Sequence, residues 1–341
     1  TTDIYTRWYS SAASDVYKRQ EDLSSTASSY ERVSSHDLDH YNAQPGGWDV
    51  QASQLSKGSF GSVIRAVKLP GIMAYDNHWA CAALIEGQSP PGWYMLGASV
   101  IPERDKLQWC GKSADRGVLA CASPGNEIEF SFAKNTHDVV LLVSPDLLQR
   151  AAGDGIIEQI SQSRYLNFPG AEPQLTKFLL ELLESVESRP QLLQQPAVAS
   201  RLRSRVLRAI EECFSSQMPE AAELHLDSRE KAVHLARKHV TTANGHTSAW
   251  DMAQAAGVSQ KTLETAFKQI LGITPGQYLR VNHLNIAHHQ LAAAHRNDLS
   301  VTETAISLGF TNMGRFSMAY KDLFGESPSQ TLSTPPRLIE P

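Results

Sequence analysis

Two stretches near the C-terminus decide the fold: GVSQKTLETAFKQILGITPGQYL at residues 257–279 and GFTNMGRFSMAYKDLFGESPSQTL at residues 309–332. They align at a constant offset of 53 residues once one residue is inserted just after the first glycine. Ser259 then matches Asn312, Phe267 matches Tyr320, and Gly272 matches Gly325. A repeat of this kind indicates two copies of one structural unit.

Each copy has the pattern of a capped amphipathic helix. Ser259 and Asn312 are residue types that cap helix N-termini. The apolar residues that follow are spaced to form one buried face: Leu263, Ala266, Phe267, Ile270 and Leu271 in the first copy, and Phe316, Ala319, Tyr320, Leu323 and Phe324 in the second. The opposite face of each helix is polar and is predicted to be exposed.

A shorter helix is predicted upstream of each capped helix. It begins at a capping box in the second copy, Ser300 with Glu303, and at the Asp variant of that box in the first, Ser248 with Asp251. It ends at Gly257 or Gly309, because glycine adopts the left-handed turn at low cost. A short helix, a glycine turn and a capped helix form a helix-turn-helix unit, predicted here at 248–271 and 300–324.

A third helix is predicted between the two units, from Pro275 to about Ala294. At about 1.5 Å per residue it would be roughly 30 Å long, close to the roughly 34 Å between successive major grooves on one face of B-DNA. One chain would thus present two recognition helices to adjacent grooves.

The run TAISLGFTNMGRFSMAYKDLFGESPSQTL, residues 304–332, resembles the second half of the AraC/XylS DNA-binding domain, and the first copy resembles the first half. The resemblance covers about the last 105 residues. It implies a sequence-specific transcriptional regulator, of either sign, whose third and sixth helices read bases in the major groove. Double-stranded DNA would be its partner, with RNA polymerase as a second candidate.

The resemblance also implies which side chains meet DNA. We call the recognition helix of the first helix-turn-helix unit the first reader and that of the second unit the second reader. The base-facing residues would be Gln260, Lys261, Thr262, Glu264 and Thr265 in the first reader, and Met313, Gly314, Arg315, Ser317 and Met318 in the second. Phosphate contacts would come from Lys268, Lys321, Arg280 and the amides near Ser259 and Asn312. Lys261 and Arg315 are the candidates for guanine edges.

Some positions depart from the family pattern by carrying residues that are not permanent cations. Many members have arginine near the start of the central helix, where this chain has His283, and His288 and His289 follow. Met318 stands where the second reader often has arginine. The departures predict modest DNA affinity. The histidines are either solvated surface residues or a pH-dependent part of the DNA contact.

Composition indicates about two folded domains, with the basic charge confined to one of them. The net charge of the 341 residues is −5. From Ser228 onward 11 basic side chains face 8 acidic ones, a net +3, whereas the residues before it carry 20 against 28, a net −8. A non-specific architectural DNA binder would need far more basic charge. The absence of a long apolar run or a leader pattern predicts a cytoplasmic location.

The predicted fold class is α+β, with a β-rich N-terminal domain and an all-α C-terminal domain. Residues 1–20 are set aside as a non-native scar, and 1–47 as a whole are predicted to be a disordered lead-in. The further predicted segments are a β-rich domain at 48–145, a helical segment at 146–216, a linker at 217–227, the DNA-binding domain at 228–333 and a tail at 334–341.

The β-rich segment lies where the family usually has a cupin-like domain that binds an effector or dimerises. Four aromatic residues either line a small-molecule pocket there or form ordinary core: Trp79, Trp93, Tyr94 and Trp109. Leu175, Leu179, Leu182 and Leu183 form a helical face that either dimerises or packs on the chain's own β structure. No cofactor and no metal are predicted, since His78 and His137 lack the spacing of a metal site.

The four cysteines form no CxxC pair and are predicted to be buried thiols. The repeat motifs are most similar to the ethanolamine-utilisation regulators within the family, which makes ethanolamine with cobalamin a candidate effector. The alternative function is an enzyme, or another binding domain, that carries a DNA-binding module. That alternative needs a nucleophile or metal constellation in residues 48–215, and the sequence offers no such grouping.

Overall fold

The computed structural model describes residues 27–36, 38, 48–100, 107–110, 112–113, 118–162, 165–167, 172–215, 220–221, 228–243, 246–294 and 299–333. The strands are β1 (Ser29–Ser35), β2 (Asp49–Gln54), β3 (Ser62–Leu69), β4 (Ile72–Trp79), β5 (Ala83–Gln88), β6 (Tyr94–Ser99), β7 (Leu107–Trp109), β8 (Lys112–Ser113), β9 (Val118–Ala122), β10 (Glu127–Phe132), β11 (Thr136–Val143), β12 (Tyr165–Asn167) and β13 (Glu220–Ala221). The described pairings are antiparallel.

The strands form two sheets. The large sheet has the order β1-β3-β4-β11-β6-β9-β12-β13, and the small sheet has the order β2-β5-β10-β7-β8. Side chains alternate between the two faces of each strand, so each sheet contributes to two different layers. Met95 and Leu142 of the large sheet pack with Ile85 and Phe130 of the small sheet in a core between the sheets. The predicted β-rich N-terminal fold is confirmed.

Helices cover the outer face of the large sheet. They are α1 (Pro145–Ala152), α2 (Asp154–Gln162), α3 (Glu172–Ser188), a 3₁₀ turn (Pro190–Gln194) and α4 (Pro196–Ser215). The four leucines of the predicted apolar face of α3, Leu175, Leu179, Leu182 and Leu183, are buried in one core with Val67, Ile72 and Leu141 of the sheet. Of the two alternatives for this face, packing on the chain's own β structure is the one observed.

The lead-in contains a strand where disorder was predicted. β1 pairs with β3 along its full length, from Ser29 opposite Lys68 to Ser35 opposite Ser62. The prediction was wrong for this segment because the backbone hydrogen bonds, together with half-buried Tyr30 and Val33, compensate for its serine-rich composition. The proposed scar at 1–20, most of the linker and the tail lie outside the described residues.

The C-terminal part is helical, as predicted. Its helices are α5 (Ser228–Thr242), α6 (Ala249–Ala255), α7 (Gln260–Leu271), α8 (Pro275–Ala293), α9 (Val301–Ser307), α10 (Met313–Phe324) and α11 (Pro328–Ser333). One core joins α5, α6 and α7 to the first half of α8, and a second joins the other half of α8 to α9 and α10. None of the helices in the described ranges combines the length and the apolar character needed to cross a lipid bilayer.

Candidate functional site

The two candidate recognition helices, α7 and α10, begin at the caps that the sequence predicts. The Ser259 hydroxyl accepts a hydrogen bond from the amide of Thr262 at 3.1 Å, and the side-chain Oδ1 atom of Asn312 accepts one from the amide of Arg315 at 2.9 Å. Gly272 and Gly325 end the helices in the left-handed conformation. The helices α6 and α9 that precede them begin with capping boxes at Ser248 and Ser300.

The N-terminal turns of both readers present an exposed polar surface. Of the predicted DNA-contacting side chains, Met313 and Ser317 are half-buried and the others are exposed: Gln260, Lys261, Thr262, Glu264, Thr265, Lys268, Asn312, Gly314, Arg315, Met318 and Lys321. Met318 is 71% exposed, which is unusual for a large apolar side chain. The Lys268 ammonium lies 2.8 Å from the Glu264 carboxylate. This exposure is what DNA contact requires, and the contacts themselves stay predictions.

The helix between the readers has the expected length. α8 contains 19 residues, which corresponds to about 29 Å at 1.5 Å per residue. Its Arg280 guanidinium donates a hydrogen bond to the Arg315 carbonyl at 3.4 Å, so this cation lies beside the first turn of the second reader. α8 also contributes to the cores of both units, through Leu279 in the first and Leu284 in the second.

The β-rich part contacts both readers at their C-terminal ends, through equivalent atoms. The Gln108 side-chain amide donates to the Ile270 carbonyl of α7 at 3.1 Å, and the Gln54 side-chain amide donates to the Leu323 carbonyl of α10 at 2.6 Å. Ile270 and Leu323 occupy the same position in the 53-residue repeat. The last carbonyls of a helix have no partner within it, so both glutamines satisfy otherwise unpaired acceptors.

Further contacts hold the second reader and α8 to the end of β2. The Gly58 amide donates to the Asp322 carbonyl at 3.0 Å, and the Lys57 ammonium lies 2.8 Å from the Asp322 carboxylate. The Asn285 side chain accepts from the Gln54 backbone amide at 2.9 Å and donates to the Gln54 carbonyl at 3.0 Å. That amide side chain therefore pairs with the edge strand as a neighbouring strand would.

A buried arginine joins α5 to the outer face of the small sheet. The Arg237 guanidinium lies 2.7 Å from the Glu129 carboxylate of β10 and 3.0 Å from the Glu86 carboxylate of β5. Arg237 is 1% exposed. Glu86 and Glu129 are directly opposite in the ladder, an arrangement of like charges that is unfavourable without a cation. Burial alone would raise the pKa of Glu129, but Arg237 and His234 lower it to about 2.

A cavity of about 100 Å³ lies between the two sheets. Its walls are mostly aromatic and aliphatic and include Trp48, Tyr75, Trp79, Phe130 and Phe132. Its polar groups include the Asp138 and Glu31 carboxylates and the Asn77 amide. The strands that carry Ile85 and Phe130 into the cavity carry Glu86 and Glu129 on their other face. One layer of strands therefore separates the cavity from Arg237.

The C-terminal helices match a known family. A family model described as "Helix-turn-helix domain" matches residues 252–334. The XylDLEGF operon transcriptional activator 2 of Pseudomonas putida is 39% identical over 82 residues, which are 24% of this chain and 52% of that protein. A solved probable AraC family transcriptional regulator from Rhodopseudomonas palustris CGA009 is 31% identical, over 30% of this chain and 94% of that chain, with a TM-score of 0.27. The chain belongs to the AraC/XylS family.

One relative of the AraC/XylS family extends beyond the DNA-binding part. The XylDLEGF operon transcriptional activator 1 of Pseudomonas putida is 27% identical over 225 residues, which are 63% of this chain and 65% of that protein. The chain thus spans about half the length of the first relative and less than two thirds of the second.

His288 and His289 of the AraC/XylS central helix are neither solvated surface residues nor side chains placed to contact DNA. His288 is buried, and its Nδ1 atom lies 2.7 Å from the Tyr320 hydroxyl while its ring stacks on Phe324 at 4.4 Å. His289 is also buried, and His283 is half-buried against Phe310. The hypothesis of a pH-dependent DNA contact is wrong for His288 and His289, because the helical period turns them toward the core.

The predicted effector-pocket residues are separated by the fold. Trp79 lines the cavity, but Trp93, Tyr94 and Trp109 are not among its lining residues. Trp109 is fully buried and packs on Phe130, which is the ordinary-core alternative. Asp138 and Tyr75 also line the cavity, and the sequence analysis did not predict either of them. The signal that could have found them is the alternation of side chains between the two faces of β11 and β4.

The structure brings together two histidines that the sequence separates by 59 residues. His78 and His137 are opposite each other in the β4–β11 ladder, their rings stack at 3.8 Å, and both approach the Asp76 carboxylate. These three residues could offer three ligand atoms to a metal ion. The Arg65 guanidinium already binds the same carboxylate, so its negative charge is balanced without a cation from solution.

A matched pair of glycines tests the contact between the second reader and the β-rich part. Gly272 and Gly325 both have positive φ, but a Cβ atom at 272 would meet open space, whereas one at 325 would lie 2.6 Å from the Ser59 hydroxyl. We expect Gly272→Ala to lower the free energy of unfolding by about 1 kcal/mol, the cost of a left-handed alanine. Gly325→Ala should lower it by more than Gly272→Ala does, because the Ser59 hydroxyl must move away from the added methyl group.

Urea denaturation of the two variants measures this difference. Adding Ser59→Gly to Gly325→Ala removes the overlapping hydroxyl and should recover the excess loss. Equal losses for the two alanine variants would contradict the contact.

The buried carboxylate of the cavity predicts a pH dependence of stability. Burial raises the pKa of Asp138 to about 6, although Asn77 and Trp79 donate hydrogen bonds to it. Because the folded value exceeds the ordinary one, the stability that neutral Asp138 provides is present near pH 4 and is lost as the pH rises through about 6. We expect the wild-type protein to lose about 2 kcal/mol across this window.

Denaturation curves at pH 4.5 and pH 7 measure that loss. Asp138→Asn is neutral at both values, so its curves should differ by less than those of the wild type. A dependence as steep in the variant as in the wild type would exclude Asp138 as its source.

Proposed function

We propose that this AraC/XylS chain is a sequence-specific DNA-binding transcriptional regulator whose DNA affinity responds to a small molecule in the cavity between its sheets. The observation that carries the proposal is that Gln54 and Gln108 hold the two readers at equivalent carbonyl groups. The exposed first turns of both helices would enter adjacent major grooves.

The coupling between cavity and readers follows from strand alternation. Ile85, Ile128 and Phe130 line the cavity. Glu86 and Glu129, on the same two strands, bind Arg237, while Gln108 on the next strand, β7, binds the first reader. A ligand that shifts β5 or β10 would change the contacts on the opposite face, because both faces belong to one pleated strand. If the ligand binds the shifted strands more tightly than the unshifted ones, it favours the shifted form of the protein and thereby alters its DNA affinity.

The contacts of Gln54 and Gln108 restrict the two readers to one relative placement. Removing both contacts would let the readers adjust to the spacing of two adjacent major grooves. We therefore expect the double variant Gln54→Ala, Gln108→Ala to bind its DNA site more tightly than the wild type when no ligand is added. Typical coupling energies correspond to a change of about 5- to 150-fold. A control double variant, Gln51→Ala, Gln88→Ala, removes two glutamine side chains that are exposed on β2 and β5.

Fluorescence anisotropy measures these affinities on a labelled DNA duplex that the full chain has enriched from random sequences. A tighter complex for Gln54→Ala, Gln108→Ala and an unchanged one for Gln51→Ala, Gln88→Ala would support the proposal. Equal affinities for both double variants would contradict the coupling.

The remaining expectations belong to the same proposal. DNA as partner implies action in the cytoplasm, a homodimer would double the number of readers on a site, and RNA polymerase is the candidate partner in activation. The alternative, an enzyme with a DNA-binding module, is less favoured. In the described ranges the one grouping of possible metal ligands is Asp76, His78 and His137, and Arg65 binds that aspartate.

A further inference from the structure

The cavity combines aromatic walls with acidic groups. Five of the described residues that line it are aromatic: Trp48, Tyr75, Trp79, Phe130 and Phe132. Its charged lining residues are Glu31 and Asp138, and within the described part of the chain no lysine, arginine or histidine lines it. A negatively charged ligand would therefore face two carboxylates without a compensating cation.

Asp138 is a buried acceptor whose hydrogen-bond partners are neutral. It is 3% exposed. Its Oδ2 atom accepts a hydrogen bond from the Asn77 side-chain amide at 2.8 Å, and its Oδ1 atom accepts one from the Trp79 indole at 2.8 Å. Neither donor carries a charge, and a buried carboxylate is costly until a cation pairs with it.

The rim of the cavity carries the second carboxylate. Glu31 is exposed on β1, next to Val33 on the same face of that strand. A carboxylate at an open mouth attracts cations from solution. The faces of aromatic rings also attract cations, and desolvated sites lined by such rings hold quaternary ammonium groups. The acids and the rings thus favour one class of ligand.

We propose that the cavity binds a small organic ammonium ion, with its positive charge near Asp138 and its methyl or methylene groups against the aromatic rings. This inference rests on the proposed function, in which the cavity is the effector site. The volume of about 100 Å³ is below that of a cavity of about 150 Å³ that accepts benzene, which restricts the ligand to a few non-hydrogen atoms.

Titration calorimetry of the full chain with tetramethylammonium tests the charge requirement. tert-Butanol is a neutral probe of similar size, and acetate is an anionic probe small enough for the cavity. We expect tetramethylammonium to bind at least about tenfold more tightly than tert-butanol, because a desolvated cation gains from both the rings and the carboxylate. Acetate should not bind. Equal affinities for tetramethylammonium and tert-butanol, or tighter binding of acetate, would overturn the inference.

Variants assign the charge to particular residues. Asp138→Asn should remove the preference for tetramethylammonium over tert-butanol, and Glu31→Gln should weaken it by a smaller factor. Glu127→Gln is the matched control, because Glu127 is exposed on β10 and lies outside the cavity. If Asp138→Asn fails to fold, the wild-type comparison decides: equal affinities for tetramethylammonium and tert-butanol would sink the proposal, and a weaker preference in Glu31→Gln would support it.

DNA binding separates this inference from the proposed function. If tetramethylammonium binds the cavity but leaves DNA affinity unchanged, the ligand class stands and the regulatory role fails. If tert-butanol or acetate changes DNA affinity while tetramethylammonium does not bind, the regulatory role stands and the ligand class is wrong.

Discussion

Replacing Arg237 with methionine is expected to lower the free energy of unfolding by about 3–5 kcal/mol, the usual cost of removing one partner from a buried ion pair. The guanidinium is buried and is the observed cation between Glu129 and Glu86, which lie opposite each other on neighbouring strands. Its loss leaves two acidic side chains facing each other. Chemical denaturation of the full chain measures the change.

Two further variants show whether the loss comes from unpaired charge. Lys238→Met removes a cation from the next position of the same helix, where the side chain is exposed, and should change the free energy of unfolding by less than about 0.5 kcal/mol. Adding Glu129→Gln to Arg237→Met removes one unpaired carboxylate and should restore part of the loss. A loss of similar size in Arg237→Met and Lys238→Met would show that the ion pair contributes nothing.

Replacing Arg315 with alanine is expected to weaken binding to the selected DNA site by about 5- to 150-fold, since a bidentate contact to guanine contributes about 1–3 kcal/mol. Arg315 is exposed in the first turn of α10, directly after the Asn312 cap. The variant should also lose its preference at one base pair of the site. Lys261→Ala should produce the same kind of loss in the other half of the site.

A phosphate-contacting cation should behave differently. Lys268→Ala should weaken binding to all sequences alike and reduce the slope of log affinity against log salt by about one. Lys177→Ala is the control, because Lys177 is an exposed cation on α3, on the far side of the large sheet from the readers. If Arg315→Ala binds all sequences with equally reduced affinity, Arg315 is a phosphate contact and the assignment to a base is wrong.

The sequence predicts the C-terminal helices well because their signals are local. The caps at Ser259 and Asn312, the capping boxes at Ser248 and Ser300, and the glycine turns each depend on a few neighbouring residues. The environment of the histidines was predicted wrongly because it depends on residues that are distant in the sequence. The environment of His288 depends on Tyr320 and Phe324, which reach it only after the second unit packs on α8.

The cavity and the interface depend on strand pairing, which the sequence does not reveal. Asp138 meets Asn77 because β11 pairs with β4 in one register, and a shift by one residue would turn it to the opposite face. Strand β1 was missed because its serine-rich composition resembles a linker. The burial of Arg237 has no local signal in the sequence, since its partners Glu86 and Glu129 are more than 100 residues away.

Selection of binding sites from random duplexes by the full chain shows whether the two recognition helices read bases in adjacent major grooves. Two exposed readers joined by a helix of about 29 Å predict two short motifs whose centres are about one helical turn of DNA apart. Arg315→Ala should remove the preference at one base pair of one motif, and Lys261→Ala should do the same in the other motif. A selection that enriches no motif, or one whose motifs both variants leave unchanged, would contradict DNA reading by these two helices.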